Sequence, residues 1–254
     1  MSVIAVFNQK GGVGKTTTTL NIGAALASRG KSALLIDIDP QSHLTLAAGL
    51  RNVPAAASLA AFYKTEERLN TLIRSLPSGL RIVPASVDLS KIEALHGSDP
   101  AISRRLQQGI AAELQSSDHP ILIDCCPMLG VLTLSALIAA DHVLIPVSAD
   151  FLSLEGAGKL QLALGVLQQR LKKAFMTRVV VTRFDGRRRL SYDIYRQLKE
   201  RFDGNLCETV ITENVSLAES PMHAKDIFAY APSSQGAVDY KALTEELEAG
   251  KFFD

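Results

Sequence analysis

One short stretch near the N-terminus constrains this chain more than any other. A run of β-favouring apolar residues, Val3-Ile4-Ala5-Val6-Phe7, leads into Gln9-Lys10-Gly11-Gly12-Val13-Gly14-Lys15-Thr16-Thr17 and then into a helical pattern. Glycines at these positions let the backbone curl so that successive N–H groups point at phosphate oxygens, and the helix N-terminus adds its dipole at the same place. At this spacing Lys15 reaches the β- and γ-phosphates and the Thr16 hydroxyl ligates Mg²⁺. A plain Gly-rich turn has no need of Gly-Lys-Thr at a helix start, so the segment reads as a phosphate cradle made by Gly11, Gly12, Val13, Gly14, Lys15, Thr16 and Thr17.

Such a cradle belongs at the end of a strand in an open parallel sheet, and the rest of the chain fits. Short β-rich runs recur at Val3–Phe7, Ala33–Ile38, Leu80–Pro84, Ile121–Asp124, His142–Val147, Arg178–Thr182 and Cys207–Ile211. Most are continuously apolar, as parallel strands covered on both faces should be. Between them, apolar residues at three-to-four spacing predict helices over Lys15–Arg29, Ser58–Ser75, Ala101–Gln115, Ser153–Lys173, Leu190–Arg201 and Gly236–Ala249. The alternation predicts an α/β fold: a single doubly wound, mostly parallel sheet with helices on both faces, its ligand beyond the carboxyl ends of the strands. No repeat, low-complexity tract or linker divides the 254 residues, so one P-loop domain over 1–254 is expected. The N-terminus lacks the basic start of a signal peptide, and the apolar stretch Leu129–Ala140 falls short of the roughly 20 residues a membrane span needs. A soluble cytoplasmic protein is expected.

Two more strands end in acids, in Leu34-Leu35-Ile36-Asp37-Ile38-Asp39-Pro40-Gln41 and Ile121-Leu122-Ile123-Asp124. Carboxylates at strand ends beside a phosphate loop can hold a Mg²⁺ shell or orient a water. The ordinary pattern G-x-x-x-x-G-K-[ST] asks for glycine where this chain has Gln9, and here Lys10 is added. This K-G-G-x-G-K-T-T loop, together with D-x-D-P-Q, resembles the ParA/MinD family of dimeric ATPases with a deviant P-loop, nearest its short partition-type members, and the likeness runs along almost the whole chain.

The resemblance implies ATP and Mg²⁺ as cofactors and slow, partner-stimulated hydrolysis of ATP to ADP and phosphate. It implies that Lys10 crosses a homodimer interface to the partner's nucleotide, acting in trans as an arginine finger does. Catalysis would then rest on Lys10, Lys15 and Asp39, with Asp39 orienting the attacking water. Thr16 would bind the metal directly, Asp37 would serve its outer shell, and Asp124 would hold it through water. The loop Glu213-Asn214-Val215 would lie by the base, which brings Asn214 to the nucleotide.

Elsewhere the chain departs from the family. Where D-x-P-P is usual, Asp124 is followed by Cys125-Cys126-Pro127, with Cys126 in place of the first proline. Adjacent cysteines without a C-x-x-C pair read as small buried hydrophobes rather than cluster ligands, and none of the five histidines has metal-ligand spacing. No metal other than Mg²⁺ is expected. Val181-Thr182-Arg183-Phe184-Asp185 superficially resembles a guanine-reading T-K-x-D element. ATP is favoured because the ParA family that the chain resembles commonly has Thr and Asp flanking two apolar residues here, and only Arg183 is similar to the lysine of the guanine element; GTP stays open as the alternative.

Total charge is close to balanced, with 27 Lys+Arg against 26 Asp+Glu. The balance hides an asymmetry. From Gln168 to Gly204, Arg170, Lys172, Lys173, Arg178, Arg183, Arg187, Arg188, Arg189, Arg196, Lys199 and Arg201 stand against Asp185, Asp193, Glu200 and Asp203, a net +7 on a body of −6. Arg187, Arg188 and Arg189, helped by Arg196 and Lys199, are the expected contacts to DNA phosphates. The resemblance implies non-specific DNA binding, nucleoid association, and a ParB-like or cargo-adaptor partner, with chromosome, plasmid or protein assembly as cargo. Family members often have Pro-Arg where Thr212-Glu213 stands here, so that part of a DNA site is not carried over. MinD-type relatives use a basic C-terminal amphipathic helix on membranes; here that segment holds Glu245, Glu246 and Glu248, so no membrane partner is expected.

Overall fold

The computed structural model describes residues 2–65, 67–97, 99–114 and 119–253. Its strands are β1 (Val3–Val6), β2 (Leu34–Asp37), β3 (Arg74–Ser75), β4 (Arg81–Val83), β5 (Ile121–Asp124), β6 (His142–Ser148), β7 (Met176–Phe184) and β8 (Leu206–Thr212). They form one sheet in the order β3-β4-β2-β5-β1-β6-β7-β8, parallel throughout except where β3 pairs antiparallel with β4 at the edge. In register, Val6 stands beside Asp124 and Asp37 also stands beside Asp124, so the phosphate loop and two acids leave the same edge of the sheet.

The helices are α1 (Lys15–Ser28), α2 (His43–Ala47), α3 (Leu59–Lys64), α4 (Leu89–His96), α5 (Pro100–Glu113), α6 (Val131–Ala139), α7 (Phe151–Leu171), α8 (Arg189–Arg201), α9 (Val215–Glu219), α10 (Ile227–Tyr230) and α11 (Gln235–Ala249). Alternate strand residues feed two cores. Ala5, Ile36, Ile123 and Ile145 face Leu106, Leu132, Leu160 and Leu198 of α5 to α8, whereas Val6, Leu35, Leu122 and Leu144 face Leu20, Leu26, Leu243 and Leu247 of α1 and α11. Each of the leucine, isoleucine and valine side chains, fully withdrawn from water, contributes about 1.5–3 kcal/mol, and the two layers together clamp the sheet from both sides. The doubly wound architecture expected from sequence is therefore the observed one.

One expected helix is corrected. Ser58–Ser75 is divided into α3, a 3₁₀ turn at Leu69–Leu72 and strand β3. Polar Thr65, Glu67 and Arg68 break the apolar stripe after α3, Leu69 and Leu72 fit the three-residue period of a 3₁₀ turn, and exposed Arg74–Ser75 completes the sheet edge. Glu66, inside that expected helix, and Gln115, at the end of the expected helix Ala101–Gln115, lie outside the described residues.

Candidate functional site

Two cavities meet at the phosphate loop. The first, about 570 Å³, is lined by Gly11, Lys15, Thr16, Asp39, Pro127 and Pro221 among others; the second, about 310 Å³, lies between the ends of β7 and β8 and includes Thr182, Arg183, Glu213, Asn214 and Tyr240. Gly12, Gly14 and Thr17 line both, so one elongated ligand can run from one cavity into the other along the loop. Gly12 and Gly14 have φ of 75° and 87°, left-handed conformations that a side chain disfavours. Buried Val13 fastens the loop from below, its carbonyl accepting the Thr182 hydroxyl at 2.9 Å.

Lys15 is 8% exposed, and its ammonium donates to the Lys10 carbonyl at 3.0 Å. Burial, opposed by Asp124, lowers it from its ordinary value. An amine so placed gains by meeting anionic phosphate oxygens, which is the task expected of it.

The three acids divide in role. Asp124 takes the Thr16 hydroxyl on Oδ2 at 2.7 Å, while its Oδ1 is buried without a hydrogen-bond partner. Burial, reinforced by Asp37, pushes the Asp124 carboxyl well up. An orphaned carboxylate oxygen beside a threonine hydroxyl is what a hydrated cation would satisfy, so these residues fit Mg²⁺. Among the described residues no three His, Cys, Asp or Glu side chains gather as a metal cage. Mg²⁺ suits this arrangement because it usually keeps several waters and takes substrate phosphate oxygens as ligands.

Asp37 is wholly buried and does not line the cavity. Its Oδ2 accepts the Thr45 N–H and hydroxyl at 2.8 and 2.6 Å, and its Oδ1 accepts the Asp39 N–H at 3.1 Å. Burial pushes its carboxyl up to about 7. With both oxygens used inside the protein, Asp37 holds the Asp39 loop in place. Asp39 does line the phosphate cavity, with Oδ1 held by the Gln41 N–H at 2.9 Å.

Lys10 is not in the lining of its own cavity. Its ammonium donates to Asp150 Oδ1 at 2.7 Å and to Ser153 Oγ at 2.8 Å, at the start of α7. Burial alone would raise the Asp150 carboxyl, but bonds from Lys10 and Ser153 outweigh it and hold the group below its ordinary value. Asp150 also caps α7 by accepting the Ser153 N–H at 2.9 Å. Sequence reasoning missed Asp150, Ser153 and Thr45; an aspartate before a long helical run was the available cue for the first.

Asn214 lines the second cavity, with Oδ1 committed to the Ser216 N–H at the start of α9. Asp185 does not line it. Arg187 binds both Asp185 oxygens, at 2.9 and 3.0 Å, Arg188 adds a third contact at 3.1 Å, and the bonds from Arg187 hold the carboxyl down to about 2. Asp185, the acid of the guanine-reading pattern, is therefore engaged by arginines away from the cavity. Cys125, Cys126 and Cys207 are free and buried, as apolar packing residues should be, and Cys126 Sγ lies 3.2 Å from Thr133 Oγ1.

The expected DNA contacts lie in the turn after β7 and along α8. Arg187, Arg188 and Arg189 have side chains 90, 69 and 96% exposed, although the first two are anchored on Asp185. Arg189 and Arg196 flank Asp193 at 3.9 and 3.6 Å. Ser191, Ile194 and Leu198 bury the opposite side of α8, which turns the basic residues outward. Lys199 stands apart, about 15 Å along the helix from Arg189, beside Asp203 and Glu208.

Strand, phosphate loop, helix and a metal-ready acid define a P-loop nucleotide hydrolase. A family model described as "AAA domain" matches residues 1–177. The chain is 38% identical to the sporulation initiation inhibitor protein Soj of Bacillus subtilis over 97% of its length and 98% of that protein's. It is 34% identical to the chromosome partitioning protein ParA of Caulobacter vibrioides, covering 97% of this chain and 94% of that one. Among solved structures, cobyrinic acid a,c-diamide synthase from Mycobacterium smegmatis, with bound ATP analog and magnesium, superposes with a TM-score of 0.81 at 28% identity, over 96% of this chain and 93% of that one. The chain belongs to the ParA/Soj branch of the ParA/MinD ATPase family.

Proposed function

We propose that this protein is an Mg²⁺-dependent ATPase that pairs with a second copy around two ATP molecules, holds duplex DNA without sequence preference while paired, and lets go on hydrolysis. A ParB-like or cargo-adaptor partner would stimulate that hydrolysis, so that the cycle partitions or positions a chromosome, plasmid or protein assembly. The observation that carries the reading is the site of Lys10: a cation in the phosphate loop that its own cavity does not use. Held at the surface by a half-exposed contact to Asp150, such a lysine is placed to serve a neighbouring nucleotide once that contact opens.

Within the pair, Lys15 neutralises the β- and γ-phosphates, the loop N–H groups from Gly11 to Thr17 cradle them, and Thr16 with Asp124 fits the metal. Bound Mg²⁺ would supply charge neutralisation across the phosphates. Asp39, steadied by Asp37 and the Gln41 N–H, orients the attacking water, and the partner's lysine balances charge on the transferred phosphoryl group.

The exposed arginines beside α8 support DNA as the surface held in the cell, with the protein nucleoid-associated in the cytoplasm. A membrane is disfavoured, because Leu243 and Leu247 of α11 are buried in the core and Glu245 and Glu248 pair with Arg29, the residue after α1. No helix of the described residues is long and apolar enough to cross a bilayer. Sedimentation with ATP, ADP or neither, in the presence of random duplex DNA at low salt, tests the reading. An ATP-dependent dimer that co-sediments with DNA is expected; a monomer in all three conditions would overturn the pairing, and a dimer that leaves DNA behind would overturn the DNA step.

A further inference from the structure

The cavity between the ends of β7 and β8 has, among the described residues, one carboxylate and one cation in its lining, Glu213 and Arg183. Ile211, Leu217 and Tyr240 supply apolar wall. The two charges meet at its solvent edge, where Arg183 Nη2 donates to Glu213 Oε1 at 3.0 Å. The backbone sets both. Arg183 has a φ of 52°, a left-handed conformation that costs a non-glycine residue about 1–3 kcal/mol and persists where surrounding structure holds it. Glu213 N–H donates to the Phe184 carbonyl at 3.0 Å, tying the two strand ends together one residue beyond Arg183. Glu213 Oε2 accepts no bond among the described residues.

We propose that Glu213 reads the nucleobase, accepting the exocyclic amino group of adenine on Oε2, and that Arg183 is a positioning residue that holds Oε1 and so aims the carboxylate. The inference rests on the ATP reading above. Adenine carries a donor at position 6, whereas hypoxanthine and guanine carry an acceptor oxygen there, which repels a carboxylate held against that position; their N1–H donor lies one ring atom away, outside the aim that Arg183 sets. Asn214 complements the arrangement: the Ser216 N–H holds its Oδ1, and its amide N–H groups, which have no partner among the described residues, suit a ring nitrogen of the base. Asp185, the acid that the sequence pattern would have assigned to a base, is occupied by Arg187 and Arg188 instead. Selection would thus have moved from the end of β7 to the residue after β8.

Equilibrium binding of ATP, ITP and tripolyphosphate, each with Mg²⁺, to the full chain and to Glu213→Ala, Arg183→Ala and Arg183→Lys variants tests this. ITP lacks the amino group and carries oxygen in its place. The unaltered chain should prefer ATP to ITP by about tenfold, the worth of one hydrogen bond to a charged acceptor. Glu213→Ala should bind the two equally, Arg183→Ala should keep only part of the preference, and Arg183→Lys should restore it, all with unchanged tripolyphosphate affinity. A tenfold preference that survives Glu213→Ala would overturn the assignment of Glu213, and one untouched in Arg183→Ala would overturn the positioning role. If the unaltered chain bound ATP no better than tripolyphosphate, the base would not occupy this cavity, and the nucleotide reading itself would fail.

Discussion

Lys10 Nζ lies 2.7 Å from Asp150 Oδ1 of the same chain. For Lys10 to reach a partner's nucleotide this contact must open, and at 34% and 43% exposure the pair costs little to break, about 1 kcal/mol or less. Asp150→Asn keeps the side-chain oxygen that caps α7 and removes the charge that detains Lys10. The variant should fold with an unchanged thermal midpoint and form ATP-dependent dimers at a protein concentration up to about fivefold lower, as read by sedimentation. A dimerisation curve identical to that of the unaltered chain would mean the contact does not restrain Lys10.

Lys15 and Asp39 line one cavity and should fail differently. Lys15→Ala removes a buried cation from the phosphate site and should weaken ATP binding about thirtyfold or more by calorimetry. Asp39→Ala should still bind ATP and dimerise, while turnover of phosphate falls about a hundredfold or more. Lys10→Ala should likewise bind ATP and lose turnover. Turnover retained by Asp39→Ala would remove it from the reaction.

The structure also explains what the sequence made legible. Continuous apolar runs such as Ile121–Asp124 announce parallel strands because both faces of the sheet are covered, and the Lys10–Thr17 loop announces phosphate because glycine spacing and helix dipole leave few alternatives. Helix α6 was hidden for the converse reason: it is buried all round, so Val131–Ala139 shows an apolar run without a helical stripe. Thr45 and Asp150 act through partners 8 and 140 residues away in the chain, at Asp37 and Lys10, and a single sequence carries no sign of such pairings. For Asp37 the strand-end position was readable, but not that neighbouring N–H and hydroxyl groups would use both its oxygens.

Gly130 opens the path into α6 directly beneath Glu93 of α4. A methyl group at residue 130 would collide with Glu93 Oε1, and Glu93 Oε2 accepts the Leu132 N–H at 3.1 Å, satisfying the first turn of α6. Gly130→Ala should therefore displace Glu93 and uncap α6, costing about 1 kcal/mol in denaturant unfolding. Because Cys126 and Pro127 lead into this turn beside the phosphate cavity, hydrolysis should also slow. In Glu93→Ala the obstruction is gone, so adding Gly130→Ala should cost markedly less than in the unaltered chain. Additive losses would show that the two residues act independently.

The basic edge at Arg187–Arg189 carries less free charge than its composition suggests, because Asp185 engages two of the arginines and Asp193 lies between Arg189 and Arg196. The two acids should act differently. Asp185 binds at hydrogen-bonding distance and shapes the loop, whereas the Asp193 contacts of 3.9 and 3.6 Å are loose and mainly cancel charge. Asp193→Asn should accordingly tighten binding of ATP-loaded protein to random duplex DNA a few-fold at low salt, because it removes a repelling charge without disturbing the loop. Replacing Arg187, Arg188 and Arg189 by alanine should weaken binding equally on all sequences and flatten the slope of log affinity against log salt by about 0.9 for each phosphate no longer neutralised. Fluorescence anisotropy across a salt series measures both effects. If neither variant changes the slope or the affinity, this edge of α8 is a solvated face and DNA is held elsewhere.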